Sequence, residues 1–314
     1  MTREGAIMLP AERSRALHRP STTGLVRLAA FAAIYVLAVA WIVLIEPSRG
    51  TLWALACVPA YVAAAASLHG ISLFTHEAVH GVLSPNRVLN RLLGAVCAWP
   101  VLQNCSAYRV LHLKHHAHVG QAGDPDHYDN YTRLRPLVFA MHWGRLLLGY
   151  PAYIVAIPIL GFLRGSAADR VAIVAELMAV GGLLTMVLRM ELPTWALVHS
   201  WLIPMLVINT MVNIRGMSQH TLLEHESDPI RGTRTILTNR VTQWFMCNEN
   251  FHLEHHLFPG VPWYHLPALH EELKGDLMAR GAPFVASYAE FAADFVSATL
   301  TARSRRTVTM PPRG

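Results

Sequence analysis

Residues 25–45 form an apolar run interrupted by a single charge, Arg27, near its start. At ~1.5 Å rise per residue, about 20 helical residues cross a hydrocarbon core of ~30 Å. Comparable runs occupy residues 51–74, 171–188 and 194–212. Runs of this length commit the chain to a fold solvated by lipid, where each segment must satisfy its backbone polar groups internally, as helices do. Composition agrees. The 314 residues are 53% hydrophobic and 15% charged, whereas soluble domains carry roughly 25% charged residues. Disorder, collagen and a small disulfide scaffold are excluded. Cys57, Cys97, Cys105 and Cys247 are scattered without a C-x-x-C spacing, so neither a disulfide framework nor a cysteine zinc site is expected.

The runs pair into two tight hairpins through the short turns 46–50 and 189–193. Residues 88–101 are too short to span and read as an interfacial or re-entrant helix. Residues 146–163 are apolar but hold Pro151 and Pro158. Basic residues decide how to read them. Net charge is +6, and Lys occurs only at 114 and 274. Cytoplasmic loops collect Arg and Lys, and four spans leave only Arg49 and Arg189 on the opposite side. A fifth span at 146–163 would turn Arg164 and Arg170 outward, so this segment is expected to lie in the interface. The expected fold is therefore all-α and membrane-integral. It has four transmembrane helices in two hairpins, interfacial helices, and a cytosolic cap. A polar segment (1–24) precedes the membrane domain (25–275), and a cytosolic tail (276–314) follows it. Residues 1–23 lack the apolar core and cleavage site of a secretory signal. No nucleic-acid recognition motif is visible, so nucleic acid is not an expected partner.

The chain has 18 histidines, unevenly spread. One cluster is His76-Glu-Ala-Val-His80 at the end of the second run. Another is His112-Leu-Lys-His115-His116-Ala-His118, and the third, beginning at Asn248, contains His252, His255 and His256. Residues three and four apart share a helix face, so each cluster aims two or three imidazoles one way. Imidazole suits iron, zinc, copper and nickel. A single H-x-x-H-H can arise by chance or as a surface turn. Three clusters on one membrane face have no structural purpose that simpler residues could not serve.

Zinc is the sharpest rival. His76-Glu77-x-x-His80 matches H-E-x-x-H, the zinc-protease helix motif with Glu as general base. A catalytic zinc takes three protein ligands and keeps an open position, and eight clustered histidines oversupply it. They suit two metals with about four ligands each. A metal transporter should carry ionisable residues deep in its spans; here Glu176 is the main one.

Together the boxes resemble those of the membrane fatty acid desaturase/hydroxylase family, closest to its acyl-lipid desaturases. That family carries H-x(3–4)-H, H-x(2–3)-H-H and a final H-x(2–3)-H-H. Asp124-Pro125-Asp126 looks like the family's D-P-D, and Asn248 stands four before His252 as in many members. The run His256-Leu-Phe-Pro-Gly-Val-Pro-Trp-Tyr-His265-Leu resembles H-H-L-F-P…P-x-Y-H-L, and Ser218-Gln219-His220-Thr221 is similar to a Q-H-T sequence. The resemblance covers residues 50–275. It implies a non-haem centre of two iron ions (Fe2+/Fe3+) facing the cytoplasm of an inner or ER-type membrane, with O2 as co-substrate. It also implies His76, His80, His112, His115, His116, His252, His255 and His256 as ligands. His220 fits a ninth position better than His225, because it holds the Q-H-T place. His118, His127, His142, His265 and His270 fall outside the ligand positions, and His18, His69 and His199 read as ordinary.

Removing hydrogen from an unactivated alkyl chain needs activated O2, which zinc, lacking redox chemistry, cannot supply. The implied activity is O2-dependent desaturation of a fatty acyl chain. Hydroxylation or ketolation of a carotenoid, sterol or alkane is the alternative, and the outcome depends on placement of the C–H bond. Metal-bound histidines usually donate their other N–H to a carboxylate or carbonyl. Glu77, Asp124, Asp126, Glu224, Asn248 and Glu254 are the candidates for that role. No haem motif or iron–sulfur spacing is present, so electrons are expected from a separate ferredoxin, rubredoxin or cytochrome b5. Arg231, Arg234 and Arg240 could steer such an acidic donor or anchor to anionic headgroups.

Overall fold

In the computed structural model, which describes residues 21–127 and 131–300 together with 7, 13 and 16–18, the apolar runs become long helices. The 1–24 segment and the end of the tail thus fall largely outside the described residues. Helices α1 (Thr23–Ile45) and α2 (Val58–Val79) form the first hairpin. Then come α3 (Arg87–Ala98) and α4 (Cys105–His118). Helices α5 (Arg135–Arg164), α6 (Ala167–Arg189) and α7 (Thr194–His220) follow. Among the described residues five helices, α1, α2, α5, α6 and α7, are long and apolar enough to cross a membrane.

Boundaries differ from expectation in instructive ways. The 51–74 run divides at Cys57: residues Thr51–Ala56 form a separate short helix. Helix α2 starts afresh with Pro59 in its first turn, where a missing N–H costs nothing. It runs on to Val79 and so carries His76 inside a regular helix. Helix α7 likewise continues past residue 212 to His220.

Residues 146–163, expected as a separate interfacial piece, belong to the 30-residue helix α5, with both prolines inside it. The side-chain amide of Asn209 enters the backbone ladder of α5. It donates to Leu146 O at 2.8 Å and accepts from Tyr150 N at 3.0 Å, the two groups that join each other in an unbroken helical turn. Pro151 then removes the next N–H, and insertion into the ladder beside a proline is a standard cause of a kink. The Tyr150 hydroxyl is anchored on Val101 O at 2.8 Å. Helix α5 meets neighbouring elements near both of its ends. His142 lies 3.9 Å from Glu224, just past His220. At the other end Gly161 abuts α4 so closely that a Cβ there would sit 2.7 Å from Ala107 Cβ. Asp169, just after α5, pairs with Arg109 of α4 at 3.7 Å.

Polar side chains start the shorter helices. Asn86 accepts from Val88 N and Leu89 N at 2.9 and 3.0 Å, and Asn104 caps α4 through Ala107 N at 2.8 Å. Glu176, the ionisable residue in α6, accepts from Ser106 N and Oγ at 3.1 and 2.6 Å. A carboxylate at a helix N-terminus is favourable, so this charge has a structural task.

Helices α8 (His252–Leu257), α9 (Leu266–Ala279) and α10 (Tyr288–Leu300) build the cap. Strands β1 (Thr235–Ile236) and β2 (Phe284–Val285) pair in parallel, Thr235 opposite Phe284, the only departure from an all-helical fold among the described residues. The 275/276 boundary falls inside α9, and Phe291 and Phe295 of α10 pack with Met217 of α7. Phe31 and Phe74 from the membrane helices share one core with Phe251, Trp263 and Leu266 of the cap. Arg27 locks the two halves: its guanidinium lies 4.3 and 4.7 Å from the Trp244 and Trp263 rings and donates to Trp244 O at 2.7 Å.

Candidate metal centre

Four stretches of chain converge at the seam between bundle and cap. The end of α2 brings His76 and His80, α4 brings His112, His115 and His116, α7 ends on His220, and α8 brings His252, His255 and His256. Their ring nitrogens fall into two groups, within each of which the ligand atoms lie within 4.8 Å of one another. The first holds His76, His80, His112, His116 and His255; the second holds His115, His220, His252 and His256.

The contacts inside the groups are unusual. In the first, Nε2 of His112 lies 2.9 Å from Nε2 of His80 and 3.0 Å from Nε2 of His116, which is 3.2 Å from Nε2 of His255. In the second, His220 Nε2 lies 3.3 Å from that of His115 and 3.2 Å from that of His252, which is 3.0 Å from that of His256. Each imidazole nitrogen has one in-plane direction, holding either a proton or a lone pair. His112, His116, His220 and His252 each direct that nitrogen at two neighbours, which hydrogen bonding cannot satisfy. A cation at the common point satisfies all of them. Metal–imidazole distances are about 2.1 Å for zinc, so ligands at right angles around a similar ion stand about 3.0 Å apart. Nitrogen donors with one lone pair each suit iron or another imidazole-binding metal.

Burial favours the neutral form that ligation requires at several of these rings. His112, His255 and His256 are held well below the ordinary imidazole range, mainly by desolvation and then by neighbouring imidazoles. His252 is lowered to about 4, again chiefly by desolvation. His115 differs. Desolvation pulls it down, but its hydrogen bond to Asp124 and the charges of Asp126 and Asp124 together raise it.

The proposed orienting residues divide. Asp124 Oδ1 lies 2.8 Å from His115 Nδ1, and His220 Nδ1 pairs with Gly232 O at 3.0 Å. Asp126 is exposed and 3.9 Å from His115 Nδ1. Three other candidates have different tasks. Glu77 accepts from Trp263 N at 3.2 Å and stands 4.0 Å from His76 Nδ1. Asn248 donates to Trp263 O at 3.1 Å, so these two side chains clamp both ends of one residue of the cap. Glu254 accepts from Thr235 Oγ1 at 2.5 Å and pairs with His270 Nδ1 at 2.6 Å; α8 turns it away from the ring cluster. Glu224 lies near His142, which is not a member of either group. The residue the sequence reading missed is Glu249, 1% exposed, whose Oε1 is 3.0 Å from His76 Nδ1. Its position three residues before His252, on the inner side of the turn into α8, was the available signal.

Remaining histidines stand apart from the groups. His225 packs on His127 with ring centroids 5.4 Å apart, His118 pairs with Lys114 O at 2.9 Å, and His199 with the Tyr61 hydroxyl at 2.6 Å. Arg234, expected on the docking face, is buried and donates to Ser218 O at 3.2 Å. Arg231 and Arg240 are exposed.

A membrane-type helical bundle with paired histidine groups at one end is thus the class that fold and site define. Residues 51–288 match the sequence model of the fatty acid desaturase family, and the chain belongs to that family. It is similar to a zeaxanthin 4-ketolase of Chlamydomonas reinhardtii, 26% identical over 68% of this chain and 44% of the relative. It is also similar to a beta-carotene ketolase of Paracoccus sp., 26% identical over 66% of this chain and 75% of the relative. A third relative is the sn-1 oleoyl-lipid 12-desaturase of Arthrospira platensis, 22% identical over 64% and 63% of the two chains. The chain spans about half the length of several curated relatives, from 44% to 63% among the three first matched.

Proposed function

We propose that this protein is an O2-dependent membrane oxidoreductase that desaturates a fatty acyl chain, with one iron ion held by each histidine group. The observation that carries the reading is the pair of groups itself: nine buried or half-buried imidazoles whose Nε2 atoms crowd two points. Bound there, two irons would supply the redox chemistry that activates O2. The chain's own residues hold His112, His252, His255 and His256 neutral, orient His115 and His220 through Asp124 and Gly232 O, and exclude bulk water by closing the cap over the bundle.

A second reading, ketolation or hydroxylation of a carotenoid-like molecule, is favoured by the ketolases among the relatives. A zinc protease is disfavoured, because Glu77 is buried and engaged by Trp263 N rather than facing an open ligand position. Electrons come from a separate donor on this reading, docking by charge at the exposed Arg231 and Arg240.

The topology that fits is four spans, α1, α2, α6 and α7, with α5 dipping into the bilayer and returning. Asn209, where α5 is wedged, is eleven residues before His220, about 16 Å along the helix, while both arms of α5 contact residues near the histidine level. Arg164 and Arg170 then stay on the cytoplasmic side with the histidines. Labelling of cysteines introduced at 164–170 from the cytoplasmic side alone is the expected result; labelling from outside would overturn this topology.

The function is tested by mass spectrometry of lipids from cells expressing wild type or His255→Ala. A product lacking two hydrogens, present only with wild type, is expected. A product in which oxygen replaces two hydrogens would establish the ketolase reading instead.

A further inference from the structure

We infer that Glu249 is a positioning carboxylate shared by the two histidine groups, fixing one ligand of each. This rests on the two-metal reading above. Oε1 of Glu249 lies 3.0 Å from Nδ1 of His76, in the first group, and Oε2 lies 3.7 Å from Nδ1 of His252, in the second. On both rings the nitrogen facing Glu249 is Nδ1. The Nε2 of His252 faces its own group. Nδ1 and Nε2 of His76, Nδ1 of His252 and Oε2 of Glu249 are all buried without a hydrogen bond, so Glu249 acts on the two rings as a buried charge at 3.0 and 3.7 Å. Arg215 Nη1 stands 3.6 Å from Oε2, which balances the charge of a carboxylate only 1% exposed.

The backbone supports the assignment. Cys247 and Asn248, immediately before Glu249, have φ of 45° and 55°, a left-handed conformation that is costly without glycine. Asn248 is held there by Trp263 O and by its own N–H on Gln243 O at 3.0 Å. The two left-handed residues swing the chain so that Glu249 points back between α2 and α8. By contrast, Asp124 binds His115 of the second group alone. A carboxylate on the distal N–H orients an imidazole and raises its basicity, and its loss typically weakens metal binding ~10–100-fold. Glu249 therefore acts on both metal positions at once.

The test is anaerobic titration of the purified metal-free protein with Fe2+ against a competing chelator. Co2+ serves as a spectroscopic probe of ligand-field absorption at each position. Wild type is expected to take up two metals. Glu249→Gln, close to the same size, should weaken both positions ~10–100-fold and shift both sets of Co2+ bands. Glu249→Asp, which keeps the charge, should recover part of the loss. Asp124→Asn should weaken one position only. Two positions of wild-type affinity in Glu249→Gln, or a defect confined to one, would overturn the inference while leaving the two-metal reading intact. A wild-type protein that takes up no metal would overturn both. Circular dichroism of the metal-free variants separates misfolding from ligand loss; should Glu249→Gln misfold, the same comparison is read from Glu249→Asp, whose wild-type affinity at either position would overturn the inference.

Discussion

The two histidine groups are built differently. The first gathers five imidazoles from α2, α4 and α8, and its His255 Nδ1 is buried without a hydrogen-bond partner. The second gathers four, and two of them rest on outer partners, His115 on Asp124 and His220 on Gly232 O. A small cavity lined by His115, Asp124, His127, His220 and Glu224 borders the second group. The contrast teaches that the site is not symmetric. In the first group the contact with an outer partner is the charge of Glu249 on His76, whereas in the second two rings are held by hydrogen bonds, from Asp124 and from Gly232 O. With one ion in each, the group with fewer imidazoles has more room for a non-protein ligand, and it is the one that borders a cavity.

If the groups act as one centre, breaking either should be equally damaging. His112→Ala in the first and His256→Ala in the second are each expected to reduce lipid product to the level of cells lacking the protein. Substantial turnover in one of them would show that a single group suffices. A sharper contrast lies within the stretch after α7. His220→Ala should abolish product, while His225→Ala, which removes a ring packed on His127 outside both groups, should retain most of it. The same mass spectrometry reads both, and the reverse ranking would exchange the two histidines in the site.

Metal removal compares the two halves of the molecule. A ligand that binds only the folded state stabilises it by about 3 kcal/mol at a hundredfold excess over Kd. Chelation should therefore lower the melting temperature by several degrees, and Fe2+ should restore it. Hydrogen exchange should rise at α8 and the end of α4, not at the far end of the α1–α2 hairpin. A uniform rise would mean that the cap has no separate dependence on metal.

Much of this was legible in the sequence, for physical reasons. Helical spacing fixes which imidazoles share a face, so the members of each box were readable without coordinates. Charge asymmetry set the segment 146–163 apart as interfacial, yet it lies in a helix as long and apolar as the other candidate spans. How the boxes interleave was not readable: His115 and His116 are adjacent in sequence yet join different groups, because successive residues on α4 diverge by about 100°. Nor was the orienting shell. Glu77, Asn248 and Glu254 stand beside ligands in sequence, but each is turned onto Trp263, Thr235 or His270 by the fold. Glu249 reaches His76 from a turn 173 residues away, and only tertiary packing makes that pairing. Arg234 looked like a surface charge because burial cannot be read from residue type alone.

The smallest expected effect concerns the point where Asn209 enters the ladder of α5. Asn209 spends its whole amide on Leu146 O and Tyr150 N, and accepts from Asn213 Nδ2 at 2.9 Å. Asn209→Leu keeps the volume but removes every one of these bonds. Leu146 O and Tyr150 N can then pair with each other by straightening the turn, so the cost is that of a few exchanged hydrogen bonds, about 1–3 kcal/mol. A straighter α5 would pull Gly161 from Ala107 and loosen the wall of α4, which carries three of the nine histidines. The variant should therefore bind metal normally in the first instance, but melt a few degrees lower and lose only part of its turnover. Unchanged melting and turnover would show that the Asn209 bonds do not hold α5 in place.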